Sequence, residues 1–71
     1  MKLTINGETR EFFAENDGNK TALLALLGKL GFGEIPVLVE HNGTAIRAKE
    51  HADIIVEDGD QLEIIRIVAG G

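Results

Sequence analysis

The chain ends Ile67-Val68-Ala69-Gly70-Gly71, and this end holds its most distinctive chemistry. The last three residues have almost no side chain, so they have little to pack and cost entropy to order. A flexible tail is expected there. Extended, Val68 to Gly71 span ~13 Å, a thread thin enough for a narrow active site on another protein. The carboxylate of Gly71 is a poor electrophile, because its charge repels nucleophiles and oxide leaves badly. ATP removes both obstacles by forming an acyl-adenylate. Sulfide can then displace AMP and leave a thiocarboxylate, or a persulfide can displace it and leave a thiocarboxylate once a thiol has cleaved the acyl disulfide. An enzyme thiol or a lysine amine can attack the same adenylate. In each case this chain supplies the acyl group and a partner supplies the catalytic groups. Taken alone, a Gly-Gly end is also what an idle, frayed terminus looks like.

The other candidates for chemistry are weaker. His41 and His51 belong to no HExxH or comparable cluster and read as surface histidines. Glu57, Asp58 and Asp60 lack the acid spacing and distal glutamate of an EF-hand loop. They read as a solvated turn, with Gly59 supplying the positive φ. Gly28, Gly31 and Gly33 close a helical pattern, whereas a dinucleotide fingerprint opens one, so capping and turn formation are their expected roles. No Ser/His/Asp or lysine-centred set stands out. With no cysteine there is no disulfide, thiol nucleophile or zinc–thiolate site. A bound metal or cofactor is not expected, and neither is catalysis by this chain.

The net charge is −5, and the seven Lys and Arg residues are scattered. Nucleic acid, which requires clustered cations, is disfavoured as a partner. A basic or mixed protein surface is the better match. Met1-Lys2-Leu3-Thr4 lacks the apolar stretch of a signal peptide, and no run approaches the ~20 apolar residues of a membrane span. A cytoplasmic protein that engages no membrane is the expectation.

The elements that must position the tail are legible in outline. At 71 residues the chain is one domain, 1–71, and 44% hydrophobic residues supply a core without disulfides. Leu3 and Ile5 alternate with polar neighbours as in a half-buried strand. Asn6-Gly7 favours positive φ twice over and marks a type I′ hairpin, and Glu8 to Phe13 returns. Phe12 or Phe13 points inward; parity across the turn favours Phe12. A helix is predicted from Thr21, its expected N-cap, with Leu23, Leu26, Leu27 and Leu30 as its apolar stripe and Gly31 as its stop. Val37-Leu38-Val39 reads as a buried strand after Pro36, and Asn42-Gly43 as a second hairpin turn. Arg47 to Asp53 is polar and irregular, with room for a short helical turn. Gln61 to Val68 is the last strand, with Leu62 and Ile64 on one face and Ile65 and Ile67 on the other. Apolar residues on both faces place it centrally. The class is α+β.

Asp58-Gly59-Asp60-Gln61-Leu62-Glu63-Ile64, followed by Val68-Ala69-Gly70-Gly71, resembles the end of the ThiS family, sulfur carriers of thiamine thiazole synthesis. Leu3-Thr4-Ile5-Asn6-Gly7, the helix near Thr21 and Asn42-Gly43 with Ile46-Arg47 are also similar to that family. The resemblance covers nearly the whole chain. It implies a β-grasp, ubiquitin-like fold: a mixed four- to five-stranded sheet under one main helix, with residues 68–71 as a tail. It implies that Gly71 is adenylated by a ThiF-type E1-like adenylyltransferase, which uses ATP. A cysteine desulfurase or persulfide would be the sulfur donor, and a ThiG-type thiazole synthase would receive the sulfur. Val68, Ala69 and Gly70 would enter the partner's active site. Val39, Ile65 and Ile67, where exposed, would form a docking patch; the alternative is a strand buried on both faces. A MoaD-like molybdopterin-synthase subunit, a carrier for another pathway, and a modifier conjugated through Gly71 share these features.

Overall fold

Two Asn-Gly pairs set the topology. In the computed structural model, which describes residues 1–12 and 19–68, strands β1 (Lys2–Ile5) and β2 (Glu8–Glu11) meet antiparallel, with Ile5 opposite Glu8. The two-residue loop between them has Asn6 at φ 51° and Gly7 at φ 84°, the left-handed pair that a type I′ turn requires. The same device joins β4 (Val37–His41) to β5 (Thr44–Ile46), with Asn42 at φ 50° and Gly43 at φ 86°. The last strand, β7 (Gln61–Arg66), fits between the hairpins. It runs parallel to β1 and antiparallel to β4. The five-stranded sheet has the order β2-β1-β7-β4-β5, the mixed β-grasp arrangement.

Helix α1 (Leu23–Lys29) covers one face. Its N-cap falls one residue later than the expected Thr21. Thr21 lies instead in a short strand, β3 (Lys20–Ala22), opposite Val56 of β6 (Ile55–Glu57). The Leu23 amide donates to the Ile54 carbonyl, so backbone pairing anchors the helix entry. Ala22 occupies the N-cap position without a side-chain hydrogen bond. The exit follows the expectation for Gly31. At φ 91° it donates to Gly28 O, and Phe32 donates to Leu27 O, the two bonds of a Schellman motif. Between β5 and β6 the irregular segment forms a 3₁₀ helix, Ala48–Asp53.

Leu23, Leu26 and Leu27 of α1 pack on Leu3, Ile5, Val37, Val39, Ile46, Leu62 and Ile64 of the sheet, with Val56 from the β3–β6 ribbon. Phe12 is partly buried against this cluster; its alternative, Phe13, lies outside the described residues. The opposite face of the sheet has no covering element among the described residues. No helix there is long and apolar enough to cross a membrane.

Candidate functional site

The candidate site begins where β7 leaves the sheet. β7 pairs with β4 from His41↔Leu62 to Val37↔Arg66, and the Ile67 amide adds a bond to Pro36 O at 3.0 Å. Val68 is then 84% exposed. Gly71 and the residues that lead to it, Ala69 and Gly70, lie outside the described residues.

The other side of β7 is held differently. Its parallel pairing with β1 covers only Thr4↔Gln61 and Ile5↔Leu62, because β1 turns away at Asn6. There the Asn6 side chain takes over. Its Oδ1 accepts from the Ile64 amide at 2.7 Å and its Nδ2 donates to the Ile64 carbonyl at 3.1 Å. One side chain thereby does the work of a strand neighbour. Asn42 does the same at the start of β7, where its Oδ1 accepts from the Gln61 amide at 2.8 Å. Both turn asparagines brace the strand that carries the tail. Turn chemistry already accounts for both residues in the sequence, so nothing there marks this second role.

The docking-patch residues separate. Val39 is fully buried, which corrects its assignment to an exposed patch. It stands opposite Ile64, and that pair faces the helix. Leu38, one residue earlier and opposite Ile65, takes its place on the open face. Leu38 is exposed, as are Ile65 and Ile67, both at 53%.

The histidines also depart from the surface reading. His41 Nε2 lies 2.7 Å from Asp60 Oδ2, with both side chains mostly covered. Asp60 Oδ1 accepts from Asn42 Nδ2 at 3.2 Å, and Oδ2 accepts from the Glu57 amide at 2.8 Å. Burial pushes the Asp60 carboxyl up. The Glu57 amide, His41, Asn42 and the His41 charge together outweigh it and hold the group below 3.8. A depressed carboxylate pKa stabilises the fold above the ordinary value, and that contribution is lost as pH falls through the folded value. Asp60→Asn is therefore expected to lower stability at neutral pH. The gap from wild type should close below pH 3.8. Urea unfolding across pH measures this, and a gap that stays constant would contradict it. This network sits at the start of β7, at the opposite end of the strand from the tail, so His41 is structural. Asp58 ties β1, accepting from the Lys2 amide, and Gly59, at φ 90°, donates to Lys2 O. The acidic turn is thus a knot of backbone ties.

His51 is buried on the 3₁₀ helix at 6% exposure. Its Nε2 has no hydrogen-bond partner among the described residues. A buried orphan polar atom costs ~1–3 kcal/mol. His51→Phe should raise stability by about 1 kcal/mol, seen as a higher urea midpoint. A drop in the midpoint would show that the imidazole is satisfied after all.

The described part of the candidate site, then, is the end of a strand braced from both sides in a β-grasp sheet, beside an open face with exposed aliphatic residues. The ThiS family model matches residues 3–71. Two solved structures of a thiamine biosynthesis protein (ThiS) from Geobacter metallireducens, one crystal and one NMR, are each 28% identical. Their TM-scores are 0.78 and 0.77; each match covers 100% of this chain, and 100% and 88% of theirs. A thiazole synthase from Paramagnetospirillum magneticum is 42% identical over 71 residues. That match takes in all of this chain but only 20% of the relative's length. The family match over residues 3–71, on this fold, places the chain in the ThiS family.

Proposed function

We propose that this protein is a sulfur carrier for thiazole formation in thiamine biosynthesis, a protein co-substrate with Gly71 as its working residue. The observation that carries the reading is the junction at Ile67 and Val68. A strand held on both sides passes directly into an exposed residue, and Ala-Gly-Gly follows in the sequence. Those three residues reach at most ~11 Å beyond Val68. An active site that takes Gly71 must therefore lie close against this end of the sheet.

The chemistry follows from the carboxylate. A Gly71 oxygen attacks the α-phosphorus of ATP on a ThiF-type enzyme, and pyrophosphate leaves. The terminal sulfur of a persulfide, supplied by a cysteine desulfurase, attacks the acyl carbon and AMP leaves. A thiol then reduces the acyl disulfide and frees the thiocarboxylate. Thiazole synthase takes the sulfur; the name of the Paramagnetospirillum relative supports that acceptor. Val68, Ala69 and Gly70 line the partner's channel without contributing reactive groups. ATP is bound by the partner.

The test is direct. Incubation with the adenylating enzyme, ATP and a persulfide donor should replace one terminal oxygen by sulfur, read by intact-mass spectrometry. The same measurement on protein from its native source establishes that the chain ends at Gly71, which the chemistry requires. No exchange with the cognate enzyme overturns the reading. Gly71 joined to lysines in cell extracts would favour a modifier instead.

A further inference from the structure

Asn-Gly is a reactive pair as well as a turn. Glycine has no side chain to obstruct its own backbone nitrogen when that nitrogen attacks the amide carbon of the preceding asparagine. The chain has two such pairs, Asn6-Gly7 and Asn42-Gly43, and the fold treats them differently. Asn6 gives both amide atoms to the part-buried peptide of Ile64. Its Nδ2 faces a carbonyl, which has no proton to offer. Its hairpin is paired at four positions, and Met1 and Phe12 exchange two further bonds. The side-chain bonds of Asn42 are solvent-exposed. Its hairpin is paired at three positions, so local opening is easier there. Asn42 also has an acid beside it. His41, which ties the strand to Asp60, places Nε2 3.5 Å from Asn42 Nδ2.

We propose that Asn42-Gly43 is a self-modification site, at which the Gly43 nitrogen closes on Asn42 Cγ, His41 supplies the proton that lets ammonia leave, and the tie between Asn42 and Asp60 is lost. The Gly43 amide gives its proton to water and forms the N–Cγ bond. Charge gathers on Oδ1, which faces the Gln61 N–H at 2.8 Å. In the resting amide Nδ2 has no lone pair to accept a proton. In the tetrahedral adduct it is an amine, and it takes a proton from the imidazolium form of His41, which regains one from water. The Cγ–Nδ2 bond breaks, ammonia leaves, and a five-membered succinimide remains. Water opens that ring at either carbonyl, giving aspartate or isoaspartate. Both products lack the Nδ2 that Asp60 Oδ1 accepts from. Aspartate keeps an acceptor for Gln61 but sets a carboxylate against Asp60, and the two repel. Isoaspartate adds a backbone carbon to a two-residue turn whose length fixes the hairpin register.

The test is incubation of the full chain at neutral pH and physiological temperature. Peptide mapping follows each Asn-Gly site, and isoaspartate is detected with its methyltransferase. Asn42 is expected to convert more than about tenfold faster than Asn6, and His41→Gln, which holds no acidic proton, to slow Asn42 by a similar factor. In urea above the unfolding midpoint the two sites should react at comparable rates, because only the local sequence then remains. Asn42 no faster than Asn6 in the fold, or a difference that persists in urea, overturns the proposal. So does a His41→Gln rate equal to or above that of wild type. A purely structural His41 would give that last result, since loosening the turn speeds ring closure. Converted protein, separated by anion exchange, should have a lower thermal midpoint than unconverted protein. Equal midpoints overturn the claim that the modification costs the fold its tie at Asp60.

Discussion

Deleting Gly71 is expected to reduce thiocarboxylate formation by more than ~10²-fold while leaving the thermal midpoint unchanged. The shortened chain still ends in a glycine carboxylate, so the acyl group is not lost; its position is. One residue is ~3.3–3.6 Å of extended chain, and misplacing a reacting group by ~1 Å can cost ~10²-fold in rate. β7 cannot slide to compensate. Its register is fixed by the ladder to β4 and by the side chains of Asn6 and Asn42. A slip of one residue would also turn Leu62 and Ile64 out of the core. The fold should be indifferent to the deletion, because every buried apolar residue among those described lies before Arg66. Gly71→Val, at full length, tests the other constraint. Its side chain crowds the carbonyl, so transfer should fall while binding to the activating enzyme survives. If the shortened chain is sulfurated at the wild-type rate, the working carboxyl is not uniquely placed and the precision argued here is wrong.

That precision comes from features of unequal visibility in the sequence. The hairpins could be read because Asn-Gly has few uses other than a left-handed pair. The centrality of β7 could be read because Leu62, Ile64, Ile65 and Ile67 are apolar at both parities, and the helix stop because Gly31 closes a leucine stripe. Val37-Leu38-Val39 defeated the same logic. Three aliphatic residues in a row do not say which parity meets the helix; only the pairing of Val39 with Ile64 and of Leu38 with Ile65 does. Thr21 looked like a cap because composition cannot reveal that Lys20–Ala22 pairs with Ile55–Glu57, 35 positions on. His51 was a lone polar residue in a polar segment, and its burial depends on how the 3₁₀ helix packs against α1. The Ala-Gly-Gly end stands out by residue type alone, and it lies outside the described residues. What braces the strand before it, the two asparagine side chains, was hidden by an adequate local explanation for each.

The stronger brace makes the last prediction. Asn6→Ala should cost about 2–4 kcal/mol of unfolding free energy. Two hydrogen bonds disappear, each worth ~0.5–1.5 kcal/mol net. The Ile64 amide and carbonyl, part-buried, are left without those partners. Alanine must also hold φ near 51°, a left-handed conformation that costs ~1–2 kcal/mol for an ordinary L-residue. Against the ~4–10 kcal/mol expected for a domain of this size, the loss is a large fraction, and ~4–8 °C per kcal/mol gives a fall in midpoint on the order of 10–30 °C. Asn6→Gly divides the two contributions, since glycine accepts the positive φ but makes neither bond. It should retain roughly half of the loss. Asn6→Asp keeps the acceptor toward the Ile64 amide and sets a carboxylate oxygen against the Ile64 carbonyl, so it should be no better than glycine. Amide exchange localises the effect. The Ile64 amide should lose protection in the alanine and glycine variants before the amides that β4 holds on the other side of β7, and should keep more of it in the aspartate variant. If Asn6→Gly is as stable as wild type, the side-chain brace contributes nothing and the residue serves only its turn. In that case β7 would depend on β4 and the two-residue parallel pairing alone, and the tail would project from a looser strand than the one described.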